Sequence, residues 1–281
     1  MWASRVLPDI WNRFSLDGPR FTAIAAKYLR RLIGARELIY DEVRHCLWLV
    51  GAAPGDIRTS PVLAERMAAV RAFRENSTEA KTKEDANRPS EFQEVRQPDV
   101  DYLAVPLHTS EDRDYAPIAR FTRDVITNNA VSTVGDPSLT TFGLLQSRIF
   151  NVWGKAVSGR IKSDPRISGG ITYNNFPFPT PNSKGRETIE KTAEEVLAAR
   201  DAHLSSSLAD LYDRNSMPAD LRAAHTKLDR AILKAYELTN NASDEQILTK
   251  LFGDYASLTR GLLDSEPLRR TKKARRANPA S

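Results

Sequence analysis

The sequence predicts a mixed α+β protein, with an α/β domain followed by a small helical subdomain and a disordered basic tail. Three observations carry this prediction. Short apolar runs suited to strands alternate with helical periodicities up to about residue 157. From residue 186 the apolar spacing becomes helical alone. The end of the chain holds Arg269, Arg270, Lys272, Lys273, Arg275 and Arg276, with no acid after Glu266. The expected divisions are an unassigned segment 1–20, a larger domain 21–181, a helical subdomain 182–240, a helical extension 241–262 and the tail 263–281.

Over residues 21–32 the apolar positions Ile24, Ala25, Tyr28, Leu29 and Leu32 recur at helical spacing, and Gly34 ends the pattern. Residues 37–40 and 44–50 read as strands, the second apolar enough to be buried on both faces. Pro54 and Gly55 break the chain before a helix over 61–73, with Val62, Leu63, Met67, Val70 and Phe73 on its inner side. The polar stretch 74–98 lacks periodic apolar residues and reads as a long exposed loop or frayed helix.

Further strands are expected over 102–107 and 131–134, then a helix over 141–157 carrying Phe142, Leu145, Ile149, Val152, Trp153 and Ala156. Residues 159–181 are dense in Gly, Pro, Asn and charge, which predicts a structured loop with one short strand over 170–173. Helices follow over 186–200 and 218–236, with Pro218 suited to a first turn, where a missing N–H costs nothing. Trp48, Trp153, Tyr212 and Tyr236 are expected in the core.

With 41% hydrophobic and 27% charged residues the composition is that of a globular protein. No apolar run approaches the roughly 20 residues needed to cross a bilayer, and the N-terminus lacks a secretory pattern. A cytoplasmic protein with no membrane contact is the expectation. The net charge of +5 belongs mainly to the tail, since removing its six cations leaves 35 basic against 36 acidic residues. Such a tail can hold phosphates without reading sequence. Cys46 is the only cysteine, which excludes internal disulfides and thiolate zinc sites, and the four histidines lack metal-ligand spacing.

Catalytic signatures are absent. No two glycines are separated by a single residue, so the glycine-rich turn of an S-adenosylmethionine site is missing. No Pro-Pro pair occurs, which removes the Asn/Asp/Ser-Pro-Pro-aromatic tetrapeptide that accepts an adenine amino group and stacks the flipped base. Asn174-Asn175-Phe176-Pro177 has similar ingredients in the wrong order. Residues 154–161 miss a P-loop because Arg160-Ile161 stands where Lys-Ser/Thr is required.

Several segments, in one order, carry a resemblance: LRRLIGARELI, HCLWLV, VRQPDVDYLAVP, GRIKSDPRISGGITYNNFPFP and LADLYDRNSMPADLRAAHTKLDRAILKAY. Together they resemble the C-terminal half of MmeI-like adenine-specific DNA methyltransferases of type IIL restriction-modification systems. The resemblance implies that 21–181 is a target recognition domain and 182–240 a helical C-terminal subdomain. It implies double-stranded DNA as partner, in a bacterial cytoplasm and on the nucleoid. It also implies a separate methyltransferase domain or subunit that would hold S-adenosyl-L-methionine, with no cofactor bound by this chain. Other readings are a fragment of a complete site-specific methyltransferase, or a non-catalytic remnant with a structural or protein-binding role.

The same resemblance puts Lys162 and Asp164 where the family reads a base pair beside the target adenine. Their chemistry suits a G·C pair: an ammonium donates to guanine O6/N7 and a carboxylate accepts from cytosine N4. Arg160 and Arg166 flank them and are expected on phosphates, fixing register rather than sequence. Tyr173, Asn174, Asn175 and Phe176 are expected to form a supporting turn. A solvated, energetically idle Lys162–Asp164 pair is the alternative.

Overall fold

The computed structural model describes residues 23–264; the expected segment 1–20 and nearly all of the basic tail lie outside them. It is a mixed α+β fold with three small sheets among the described residues, two of three strands and one of two. Helix α1 (Ala23–Ala26) leads into β1 (Leu29–Ile33), which pairs antiparallel with β2 (His45–Leu47) and parallel with β5 (Ile126–Thr127). The helix expected over 21–32 is thus cut to one turn. Pairing with residues nearly a hundred positions away buries the adjacent Leu32 and Ile33 together, which one helix face could not do.

Of residues 37–40, read as a strand, 37–39 belong to helix α2 (Ala35–Ile39) and Tyr40 caps it. The Glu37 carboxylate accepts from the Gly34 N–H at 2.8 Å, a local capping bond that outweighs strand propensity. Gly34 is required for space: a Cβ there would sit 2.3 Å from Asn128 Nδ2. The strand expected over 44–50 is confined to three half-buried residues, and Trp48 stacks half-buried on Phe92, 5.3 Å between centroids, rather than entering the core.

Helices α3 (Pro54–Thr59) and α4 (Pro61–Glu75) follow. Only Leu63 of the expected inner face is buried; Val70 is exposed and Phe73 is 76% exposed, because α4 packs by its N-terminal half on a small cluster with Ala25 and Leu49. The polar stretch after it includes α5 (Ala80–Glu84) and a 3₁₀ turn at Asp85–Asn87. Buried Arg74 organises it by donating to the carbonyls of Asp85 (2.8 Å), Arg88 (2.8 Å) and Glu91 (2.6 Å).

Strand β3 (Tyr102–Pro106), buried throughout, lies between β4 (Ala119–Phe121) and β6 (Val131–Val134), both antiparallel to it. The helix expected over 141–157 is two, α6 (Leu139–Leu145) and α7 (Arg148–Val157). Between them Gln146 turns its amide into the core, and Ser147 Oγ accepts from the Phe150 N–H at 3.2 Å to start α7 afresh. After α7 come β7 (Gly159–Ile161) and β8 (Asp164–Arg166), and the strand expected over 170–173 is instead a single π-helical turn, Gly169–Tyr173, opened by Ser168.

The remainder is helical: α8 (Ser183–Asp201), α9 (Leu208–Leu211), α10 (Ala219–Ala235) and α11 (Asp244–Asp264). Pro218 stands just before α10. One hydrophobic core runs from β3 through α6 and α7 into α8 and α10, joining Tyr102, Phe142, Ile149 and Phe150 to Val196, Leu228 and Ile232. Helix α6 approaches closely through Gly143, where a Cβ would meet Ile189 at 3.1 Å and Leu228 at 3.2 Å. Fully buried Trp153 of α7 packs on Phe252 and Tyr255 of α11, with centroids 5.4 and 6.3 Å away.

Buried polar groups tie the same seam. Arg200 of α8, 1% exposed, donates to Tyr212 Oη (2.6 Å), to the Ile118 carbonyl (2.8 Å) and to Gln146 Oε1, and lies over the rings of Phe142 and Tyr212. No carboxylate pairs with it among the described residues. Tyr212 Oη also contacts His225 Nε2 at 3.0 Å, and burial together with the Arg200 charge holds His225 well below its usual pKa, hence neutral. Tyr115 stacks on His225 and donates to Asp229 at 2.7 Å. Burial raises the Asp229 carboxyl from its ordinary 3.8 to about 6, opposed by a 2.8 Å bond from the Arg148 N–H and by the Tyr115 hydroxyl.

Candidate nucleic-acid interface

The feature that projects from this core is the β7–β8 hairpin, residues 159–166, paired Gly159↔Arg166, Arg160↔Pro165 and Ile161↔Asp164. Period-two alternation positions it: Pro165 and Ile167 are buried, whereas on the other face Arg166 is exposed and Asp164 half-buried. Two main-chain bonds attach β8 to the segment after β3, Ile167 N–H to Leu107 O (2.8 Å) and Thr109 N–H to Pro165 O (3.4 Å). A two-residue connection, Lys162-Ser163, forms the tip.

Lys162 adopts φ 56°, the left-handed region that favours glycine, so a lysine at the tip is held there against a steric cost of about 1–2 kcal/mol. Its side chain is exposed, and among the described residues it makes no ion pair with Asp164. Asp164 Oδ1 accepts from the Glu111 N–H at 3.1 Å. The second oxygen accepts nothing among the described residues. Arg160 donates to the Ser163 carbonyl (2.8 Å) and the Lys155 carbonyl (3.2 Å) and pairs with Glu111 at 3.4 Å, so it braces the turn from the side. Arg166 is exposed, beside a bridge to His108.

Behind the hairpin the π-turn is fastened by Trp153 Nε1, which donates to the Thr172 carbonyl at 2.9 Å, and by Ser158 and Thr172 hydroxyls 2.8 Å apart. Asn175 Nδ2 donates to the carbonyls of Gly170 (3.1 Å) and Ile171 (2.9 Å), while Asn174 is exposed. Phe176 is buried edge-on against Phe150 and Phe178, and Tyr236 Oη donates to the Pro177 carbonyl at 3.0 Å. Tyr173 lies against Phe178 and lines a cavity of about 410 Å³ with Val105, Val134, Phe150 and Ile167.

The structure therefore brings Lys162, Asp164, Arg160 and Arg166 together on one hairpin; Tyr173–Phe176 lie in the turn segment that follows it, packed on Phe150 and Phe178. Sequence reasoning missed Glu111 and the Lys155 carbonyl. Glu111 lies 53 positions from Asp164 and belongs to no motif, so no local signal marks it. Among the described residues single glycines directly follow two strands, Gly34 after β1 and Gly135 after β6, and neither belongs to a glycine-rich turn. No group of three or more metal-ligating side chains occurs among the described residues, and no described helix is long and apolar enough to cross a membrane.

Comparison with known proteins assigns the frame. Residues 20–180 match the family described as MmeI, target recognition domain, and residues 181–263 match MmeI, C-terminal domain. The chain belongs to the MmeI family. It is 34% identical over 232 residues to DNA methyltransferase A of Bacillus subtilis (strain 168), across 83% of this chain and 26% of that protein. Its fold matches the structure of the type IIL restriction-modification enzyme MmeI in complex with DNA with a TM-score of 0.83 and 36% identity, across 91% of this chain and 34% of that one. The chain thus spans about a quarter to a third of these relatives, the part that comprises the target recognition and C-terminal domains.

Proposed function

We propose that this chain is the part of an adenine-N6 DNA methyltransferase that reads the DNA sequence, with methyl transfer and S-adenosyl-L-methionine belonging to a methyltransferase portion in the same or a separate polypeptide. The observation that carries the reading is the hairpin tip, where a donor-only ammonium on Lys162 and an acceptor-only carboxylate on Asp164 stand two residues apart on a core-anchored strand pair. Lys162 donates to guanine O6/N7 and Asp164 accepts from the paired cytosine N4, so both halves of one G·C pair are read in the major groove. Arg166 and the outer face of Arg160 contact phosphates, and Tyr173, Asn174, Asn175 and Phe176 form a supporting turn, held by the Phe176–Phe178 ring contact and the Asn175 amide. The matches to a target recognition domain and a C-terminal domain support a DNA-reading role within a larger enzyme.

The test is binding of the full chain to a randomised duplex pool at moderate salt, with sequencing of the retained DNA. Enrichment of one motif with an adenine near a G·C pair is expected. Lys162→Ala relaxes that one position, with about 1–3 kcal/mol lost per base pair it read, whereas Arg166→Ala weakens binding to every sequence. Equal losses on all DNAs from both variants refute this division of labour.

A further inference from the structure

We infer that Glu111, in the loop between β3 and β4, is the positioning residue of the hairpin, setting which oxygen of Asp164 faces a base and holding the turn that carries Lys162. The inference rests on the hairpin reading above. Glu111 reaches both strands: its N–H takes Asp164 Oδ1 on β8 at 3.1 Å, and its carboxylate takes Arg160 on β7 at 3.4 Å. That same Arg160 nitrogen, Nη1, donates at 2.8 Å to the carbonyl of Ser163, inside the turn. A chain of direct contacts therefore runs from Glu111 to the residue beside Lys162.

An aspartate left without a partner on a two-stranded ribbon has a broad χ2 and presents either oxygen in many directions. The Glu111 N–H removes that freedom by occupying Oδ1, which leaves Oδ2 to accept from an exocyclic amine. A carboxylate that reads one hydrogen bond needs this fixed geometry, since discrimination depends on direction as much as on charge.

The loop bearing Glu111 is itself fastened. Asn151 of α7 donates to the carbonyls of Arg113 (3.0 Å) and Asp114 (2.8 Å), and Lys155 donates to the Arg113 carbonyl at 3.1 Å. The Asp114 carboxylate pairs with Arg214 at 2.9 Å, and the Arg113 guanidinium donates to the Ala209 carbonyl at 3.3 Å. Glu111 thus stands two residues from an anchor shared by α7 and the helical domain. Its ion pair with Arg160 is about half exposed on both sides, so it adds little to overall stability. Loss of Glu111 acts on the reader and leaves the fold.

The experiment measures, for the full chain, affinity for duplexes carrying the selected motif and for those with its G·C pair exchanged, together with salt dependence and melting temperature. Glu111→Gln keeps the N–H and an acceptor for Arg160 and retains discrimination within about twofold. Glu111→Ala lowers it, and Glu111→Pro, which also lacks the N–H, lowers it about tenfold, the size of one lost base contact. Affinity for exchanged DNA and its salt slope stay at the unmodified level. Wild-type discrimination in Glu111→Ala and Glu111→Pro overturns the role of Glu111 alone. If Glu111→Pro melts early, Glu111→Ala decides. An unmodified chain that fails to discriminate overturns the hairpin reading and the inference with it.

Discussion

Replacing Arg200 with methionine tests how the two family segments are joined. The guanidinium makes three hydrogen bonds, to Tyr212 Oη, the Ile118 carbonyl and Gln146 Oε1, and lies over two rings. Methionine has similar length and no charge, so the cost of burying a cation disappears with the bonds. Gln146 Oε1 keeps the Tyr212 hydroxyl at 3.0 Å, which leaves the buried Ile118 carbonyl without this donor. That orphan costs about 1–3 kcal/mol, and the lost ring contacts about 1–2 kcal/mol more. The expected loss is about 3–4 kcal/mol, or about 10 °C in melting temperature for a unit of this size. Urea denaturation followed by tryptophan fluorescence, with Trp153 on the seam, reads it in one transition. A loss below about 1 kcal/mol, or separate transitions for the β-containing and helical parts, refutes the account.

Two further outcomes follow from particular groups. Lys162→Gly relieves the left-handed φ at the tip, so it is expected to leave the melting temperature equal or slightly higher while lowering discrimination at one base pair; a stable variant that still discriminates refutes the role of the ammonium. Asp229 has its folded-state pKa raised to about 6 from 3.8, so folding favours its protonated form. That contribution is complete below pH 4 and is lost as pH rises through 6, about 3 kcal/mol in all. Asp229→Asn should flatten this part of the stability profile between pH 4 and 7, measured as urea midpoints; an unchanged slope assigns the dependence to another group.

The parts of the fold legible in the sequence are those whose signals are local and whose burial follows their pattern. Strands β3 and β6 and helix α10 match their expected bounds to within a residue, and α8 begins three residues before its expected start, each carrying a local apolar pattern between turn or capping residues. Strand β1 was not, since its identity depends on Ile126 and Thr127, and neither was the break at Gln146, where a side chain needed by Arg200 interrupts an otherwise helical pattern. Exposed Phe73 shows the limit of periodicity, which finds an apolar stripe but not whether anything covers it. Within the candidate site the outward residues of the hairpin are visible in sequence and the bonds that aim them are not. The contact from Glu111 to Asp164 spans 53 residues and uses a backbone N–H, which has no residue signature.

The boundary between the two matched families, at residues 180 and 181, falls where the core is continuous on both sides. Evolution therefore has two very different handles on this chain. Residues at the hairpin tip stand outside the core, so substitutions can be tried there one at a time at little risk to folding. The joint at the seam has no such freedom: Gly143, Arg200 and Asp229 each answer to groups on the opposite side. A recombination event that brought a new recognition domain without its own helices would inherit mismatched halves, so the unit that travels between lineages should be the whole pair.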